Sequence, residues 1–300
     1  MRFALDHRPP LDVAGLLAFL GARAVPGVET WDGVTYTRAV RLTHAPAVIA
    51  LRPGDGHVEA DLELGDPRDA DEALARCRHL LDLDADPAAV AAVLADDPLL
   101  EPLVRATPGR RVPGVVDGAE LAIRAVLGQQ VSVAGARTLA GRLAAQLGEE
   151  LPPPAEPALP AEWPLPAEPA LPAAPTRLFP TSAALATLDP ESLPMPRARG
   201  RALVGLATVL ARGDISLELG ADPHETRAQL LALPGIGPWT ADYVAMRALG
   251  DRDAFLPTDL GVKRGLENLG ADGSPAAATA LAERWRPYRA YALQYLWSAA

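Results

Sequence analysis

Eleven of the chain's 31 prolines fall between Leu151 and Pro180. Proline has no N–H to give and clashes with the preceding helical turn, so a stretch this rich in it enters neither a helix nor a sheet ladder. Any core must be assembled from what lies on either side. Within the stretch Pro154-Ala155-Glu156-Pro157-Ala158-Leu159-Pro160 recurs as Pro166 to Pro172, which is low-complexity sequence. The expectation over 149–178 is a polyproline-like or disordered insertion, with a docking motif for a proline-binding partner as the alternative.

The flanks have different periods. Thr35 to Leu42 and Ala47 to Leu51 are rich in β-branched residues and lead into the turn Arg52-Pro53-Gly54-Asp55-Gly56. His57 to Leu64 then alternates apolar and polar, the pattern of a half-buried strand after a hairpin loop. Leu11–Ala24 and Asp71–Leu83 carry helical spacing. From Asp86 onward only helical runs follow: Pro87–Leu94, Asp117–Leu127, Val131–Leu147, Ala198–Leu210, His224–Leu233, Trp239–Leu249, Asp259–Leu269, Pro275–Trp285 and Arg289–Trp297. The fold class is therefore α+β. A small N-terminal antiparallel sheet domain with helices (1–88) precedes an all-α region (89–300) that contains the insertion.

Charge and cysteine content narrow the chemistry. Lys263 is the only lysine among 28 basic residues, so a mechanism needing a side-chain amine has one candidate. Cys77 is the only cysteine, which excludes intramolecular disulfides, Cys-rich zinc sites and iron–sulfur clusters. The net charge of −10 argues against coating nucleic acid with a positive field. Yet residues 51–100 hold 4 basic and 13 acidic side chains, so the acidity belongs to the N-terminal part rather than to the helical part. No run approaches the roughly 18 apolar residues of a membrane span, and no export signal is evident; a cytoplasmic, nucleoid-associated location is expected.

The informative segment is Leu230-Leu231-Ala232-Leu233-Pro234-Gly235-Ile236-Gly237-Pro238-Trp239-Thr240-Ala241-Asp242-Tyr243. A dinucleotide fingerprint would need a third glycine and a preceding strand, and neither is present. A helix, a Pro-Gly-Ile-Gly turn and a second helix make a tight αα-hairpin. Its glycines let backbone approach a partner, and the N–H groups at the new helix start face an anion such as a DNA phosphate. By itself the hairpin reads equally well as an ordinary interhelical turn.

Sixteen residues after Trp239 begins Phe255-Leu256-Pro257-Thr258-Asp259-Leu260-Gly261-Val262-Lys263-Arg264, which puts Asp259 twenty residues beyond that tryptophan. With this second piece the chain resembles the helix-hairpin-helix base-excision DNA glycosylases, and more narrowly their DNA-3-methyladenine glycosylase II (AlkA-like) branch. Phe19-Leu20-Gly21-Ala22-Arg23-Ala24, Leu127-Gly128-Gln129-Gln130-Val131-Ser132, Phe179-Pro180-Thr181, Met195-Pro196 and Glu283-Arg284-Trp285-Arg286-Pro287-Tyr288-Arg289 with Tyr291-Ala292-Leu293 recur there in the same order. Only the proline insertion falls outside the resemblance.

The resemblance implies a monofunctional glycosylase that flips alkylated bases out of double-stranded DNA and leaves abasic sites. Asp259 matches the catalytic aspartate, whose charge would stabilise an oxocarbenium-like sugar. It also suits a helix cap, and both roles can hold together. Trp239 stands where strand-cutting members carry a Schiff-base lysine, so no lyase step is expected. Phe19, Trp239, Tyr243 and Trp297 match base-stacking positions, with Gln129 and Leu260 beside them; π-faces would attract a cationic alkylated base. Gln130, Gly235, Ile236, Gly237, Thr240, Lys263 and Arg264 are the candidate DNA contacts, Lys263 reading equally as a solvated helix face. Leu260 and Gly261 replace larger residues of some members, which implies a wider pocket. No cofactor is required, although a monovalent cation held by the carbonyls of Leu231, Leu233 and Ile236 is implied. A monomer without membrane contact is expected. The alternatives are a glycosylase for deaminated or oxidised bases and a non-catalytic DNA-binding module.

Overall fold

The computed structural model describes residues 1–152 and 174–300. Strands β1 (Arg2–Leu5), β2 (Glu29–Trp31), β3 (Tyr36–Arg41), β4 (Pro46–Pro53) and β5 (Val58–Leu64) form one antiparallel sheet in the order β1-β5-β4-β3-β2. The alternation read from the sequence sets which face is buried. Ala47, Ile49 and Leu51 of β4 point inward with Val58, Ala60 and Leu62 of β5, and Ile49 pairs with Leu62 across the ladder. The edge strands β1 and β2 are additional to the three expected. At four and three residues, neither is long enough to display a period.

Helices α1 (Val13–Gly21) and α2 (Ala70–Leu80) close over this sheet, burying Leu16, Leu17, Leu20, Ala73, Cys77 and Leu80. The start of α1 is fixed by Asp12, whose carboxylate accepts from the Gly15 N–H at 2.9 Å. Cys77 is fully buried, and burial pushes its thiol up to about 12, which leaves it unreactive.

Among the described residues eleven further helices follow: α3 (Pro87–Leu94), α4 (Glu101–Ala106), α5 (Gly118–Leu127), α6 (Val133–Leu147), α7 (Ser182–Ala186), α8 (Arg197–Arg212), α9 (Pro223–Leu231), α10 (Pro238–Ala248), α11 (Leu260–Asn268), α12 (Pro275–Ala282) and α13 (Arg289–Ser298). The short α4 and α7 were not apparent in the sequence, and the run to Trp285 ends α12 at Ala282 before one 3-10 turn, Glu283–Trp285. These helices build two cores. One gathers α5, α6, α8, α9 and α10; the other gathers α3, α4 and α11 to α13 around the fully buried Trp285. Tyr243 of α10 packs against both, so α10 lies along the seam between them.

Most of the expected 149–178 insertion falls on residues 153–173, outside the described residues. Its described ends are paired. Glu150 and Arg177 form an antiparallel bridge, with N–H···O bonds from Leu151 to Thr176 (2.8 Å) and from Leu178 to Glu149 (2.9 Å). The N–H groups of Thr176 and Arg177 also donate to the Gly27 carbonyl at 2.9 and 3.0 Å, tying this point to the N-terminal part. No helix among the described residues is long and apolar enough to cross a membrane.

Candidate active site

A cavity of about 560 Å³ opens where the sheet domain meets the seam of the two helical cores. Trp239 and Tyr243 from α10, Asp259, Leu260, Gly261 and Arg264 around the start of α11, and Trp297 from α13 line it.

Asp259 precedes α11, and its Oδ1 accepts from the N–H groups of Gly261 (2.8 Å) and Val262 (3.1 Å). It is thus the helix cap that the sequence allowed. The two tryptophans converge on the same carboxylate. Trp297 Nε1 donates to Oδ1 at 2.8 Å and Trp239 Nε1 donates to Oδ2 at 2.8 Å. Oδ1 therefore has three donors and Oδ2 has one, which leaves Oδ2 as the oxygen with spare lone pairs.

The aromatic rings lie in two parallel pairs. Trp239 stacks on Tyr243 with centroids 5.1 Å apart and planes at 8°, and Phe19 faces Trp297 at 6.2 Å and 14°. Gly261 does not widen the pocket as expected. A Cβ there would stand 2.7 Å from Trp297 Cδ1 and 3.0 Å from Asp259 Oδ1, so the glycine is filled against by the indole that holds the aspartate. Leu260 is 57% exposed and stands at the mouth.

Three candidate residues sit differently from their expected places. Phe19 does not line the cavity; the Arg23 guanidinium lies over its ring, 3.6 Å from the centroid, and lines the cavity instead. Gln129 does not face a base either, because its amide Nε2 donates to the Gly235 carbonyl and to Thr240 Oγ1, each at 3.1 Å. Thr240 is 4% exposed, so its hydroxyl is spent inside the hairpin rather than offered to DNA.

In the hairpin, Gly235 has φ +83°, and a Cβ there would come 2.5 Å from the Ala202 Cβ on α8. Gly237, by contrast, would point a Cβ into open space. Ile236 is buried and fastens the turn to the α5–α10 core. Gln130 is exposed at the tip of the α5–α6 loop with φ +58°, beside the exposed Val131 and Val133. Lys263 lies outside the cavity lining, 54% exposed and 3.8 Å from Glu267, whereas Arg264 does line the mouth.

A buried ion network underlies the cavity. Arg38 of β3 bonds Glu29 (3.2 Å) and Glu120 of α5 (2.8 Å), Arg124 bonds Glu29 (3.1 Å) and Glu120 (2.7 Å), and the Tyr36 hydroxyl donates to Glu29 at 2.5 Å. Burial alone would raise Glu29, but the Arg124 and Arg38 guanidiniums hold it below the usual carboxylate range. The same Arg124 donates to the Arg23 carbonyl at 2.7 Å, so the network fixes the chain leaving α1 at the cavity wall. Burial would likewise raise the Tyr243 phenol. Arg247, which donates to its oxygen at 2.7 Å, with Arg23 and Arg124 behind, brings it below the ordinary tyrosine value.

Among the described residues no group of His, Cys, Asp and Glu could hold a metal ion. The hairpin offers another donor set. The carbonyls of Leu231 and Ile236 accept no hydrogen bond among the described residues, and that of Leu233 accepts one, from Ile236 N–H at 3.2 Å. Backbone oxygens of this kind suit a hard monovalent cation.

Comparison with known proteins places the chain in one family. Residues 2–117 match the family model described as the AlkA N-terminal domain. Over 294 residues the chain is 43% identical to the probable bifunctional transcriptional activator/DNA repair enzyme AlkA of Mycobacterium tuberculosis; that alignment covers 98% of this chain and 56% of the relative, so the chain spans about half of that protein. It is 34% identical over 300 residues to DNA-3-methyladenine glycosylase 2 of Escherichia coli, covering 98% of this chain and 96% of that one. In fold it is similar to the 3-methyladenine DNA-glycosylase of Archaeoglobus fulgidus, with a TM-score of 0.79, 22% identity and coverage of 99% and 97%.

Proposed function

This chain belongs to the DNA-3-methyladenine glycosylase 2 (AlkA) family, and on that footing we propose that it is a monofunctional DNA glycosylase for alkylated bases. The base would be extruded from the duplex into the aromatic cleft, its N-glycosidic bond hydrolysed and an abasic site left. The observation that carries the reading is the Asp259 carboxylate, held by four N–H donors beside two parallel aromatic pairs.

In this reading, as the bond from C1′ to the base nitrogen breaks, its electron pair leaves with the base and positive charge develops on the sugar. A carboxylate fixed in advance stabilises that charge without reorganising. Oδ2 is the oxygen free to face C1′ or to orient the attacking water, whose oxygen bonds C1′ as its proton passes to that carboxylate. Trp239 and Tyr243 supply the stacking platform for a flipped purine. An alkylated purine is already a good leaving group, so no strong general acid is needed. Trp239 at the hairpin position, with Lys263 outside the cavity lining, supports hydrolysis without strand cleavage.

The hairpin would hold a phosphate through the N–H groups at the start of α10 and the open side of Gly237, with Arg264 and Lys263 adding charge and Gln130 entering the duplex. A monovalent cation bound by Leu231, Leu233 and Ile236 would add positive charge beside that phosphate. Double-stranded DNA is the proposed partner of a monomeric chain located in the cytoplasm with the nucleoid.

The test is base release from methylated duplex DNA by the wild type and by Asp259→Asn. Release of methylated bases by the wild type alone is expected. Equal release by both proteins would overturn the role of Asp259, and release from uracil- or oxoguanine-containing duplex only would overturn the alkyl specificity.

A further inference from the structure

A second, smaller cavity lies at the C-terminal end of α10 and shares Arg247 with the cleft. It measures about 30 Å³ and is lined by His79 from the last turn of α2, by Asp82 just after it, by Arg247 and by Tyr291 of α13. The sheet domain, the seam helix and the second helical core therefore meet there. The Leu249 and Asp251 N–H groups both return to the Ala245 carbonyl, at 3.3 and 3.1 Å. Among the described residues the Arg247 and Ala248 carbonyls accept no hydrogen bond, as happens where a helix end is left uncapped. The His79 ring sits at this end. A Cβ on Gly250, just past α10, would stand 3.9 Å from its Cε1. Its Nε2 is buried and has no hydrogen-bond partner among the described residues.

Buried polar groups without partners cost free energy, and this pocket gathers several. Asp82 adds one more. It is held at φ +49°, and its Oδ2 accepts from the Tyr291 hydroxyl (2.7 Å) and the Val112 N–H (3.3 Å), while Oδ1 accepts nothing among the described residues. A volume of about 30 Å³ admits one or two waters, each of which needs about 10–15 Å³ and two to four polar partners. Water both donates and accepts, so one molecule can serve the ring nitrogen and the carbonyls together. The charged groups around His79 are Arg247 on α10, Asp251 and Arg252 in the loop after it, and Asp82, which Arg111 faces from the α4–α5 connection. Burial lowers His79 below its ordinary value against the pull of the Arg247 and Ala248 carbonyls, and the Arg247 guanidinium adds to the lowering.

We propose that His79, reaching out of the sheet domain, caps the C-terminal end of α10 through one buried water and is thereby a positioning residue for the helix that carries Trp239 and Tyr243. The sheet domain then serves a reaction it does not touch, by fixing the far end of the helix whose start holds Asp259. The cap is independent of the glycosylase reading, which enters only through the activity assay. Because folding holds His79 below its ordinary value, its contribution is complete above about pH 6.5 and is lost as pH falls through the lower folded value.

The test begins with NMR of the intact, ¹⁵N-labelled chain. The His79 ring, assigned by its loss in His79→Gln, should be neutral at neutral pH, and its N–H should cross-relax with a long-lived water. A charged ring, or no water contact, would overturn the cap. His79→Leu removes both ring nitrogens, and single-turnover base release from methylated duplex should slow about three- to tenfold with duplex affinity unchanged. His79→Gln keeps an amide within reach of the water and should recover most of that rate, but without the wild-type decline below about pH 6.5. Wild-type speed in His79→Leu, equal slowing of both variants, or a loss of duplex affinity in place of rate would each overturn the positioning role. So would an acid decline in His79→Gln that matches the wild type. If His79→Leu does not fold, the pH profile of His79→Gln and the ring signals decide. If the ring signals are as stated while no duplex releases a base, the cap stands and the glycosylase reading falls.

Discussion

The indole N–H of Trp239 donates to Oδ2 of Asp259 at 2.8 Å, while the same ring stacks on Tyr243 at 5.1 Å. One side chain thus serves the carboxylate through its edge and the proposed base platform through its face. Trp239→Phe separates the two, because phenylalanine keeps a face and loses the donor. A hydrogen bond to a charged group contributes about 1.5–3 kcal/mol, so single-turnover base release should fall about 10- to 100-fold. Retention of the wild-type rate would show that stacking alone matters.

The double role of Asp259 is separable as well. Asparagine keeps an oxygen for the Gly261 and Val262 N–H groups, so Asp259→Asn should unfold close to the wild type. Asp259→Ala also loses the cap, at about 1 kcal/mol. Both should be inactive. Thermal denaturation beside a base-release assay distinguishes them, and equal stability of the two variants would remove the cap from the account.

The two hairpin glycines should respond in opposite ways. Gly235→Ala forces a side chain into a left-handed backbone and against Ala202, and should cost more than about 1 kcal/mol of stability. Gly237→Ala has room for its methyl, so it should fold normally yet bind duplex DNA more weakly, since that space is where the phosphate is proposed to sit. Unaltered DNA affinity in Gly237→Ala would move the proposed contact elsewhere.

The Glu29 network should dominate stability at low pH. Arg38→Ala leaves Glu29 and Glu120 buried with a partner missing and should cost about 3–5 kcal/mol in chemical denaturation. Because folding holds Glu29 below its ordinary value, its contribution is complete above about pH 4.3 and is lost as pH falls through the lower folded value. Glu29→Gln should remove that acid dependence together with the ion pairs. An unchanged acid limb in this variant would assign the loss to other carboxylates.

The proposed hydrolysis without strand cleavage predicts that borohydride reduction on abasic duplex yields no covalent complex. Lys263 stands on the outer side of α11 near Glu267, away from the cavity lining. A trapped adduct at Lys263 would reverse the assignment.

What the sequence disclosed follows from the range of the interactions involved. The alternation of β5, the Asp259 cap and the Pro-Gly-Ile-Gly turn are local, and local spacing displayed them. The edge strands β1 and β2 depend on partners that complete the sheet. Gln129 reaches Gly235 across the fold, and Gly261 is required by Trp297 of another helix, so neither spacing nor composition could show what they touch. Arg23 was nearer to view. It lies four residues after Phe19, within reach of the same helical face, and that spacing is the signal that could have revealed it.

The bridge between Glu150 and Arg177 has a consequence for how the gene can be edited. Two chain ends already latched together, and tied to Gly27, make the fold nearly indifferent to the length of what is spliced between them, since loop-closure cost grows only logarithmically. This is a natural port. Shortened linkers, a fluorescent reporter or a second folded module could be inserted there while the catalytic helices keep their arrangement.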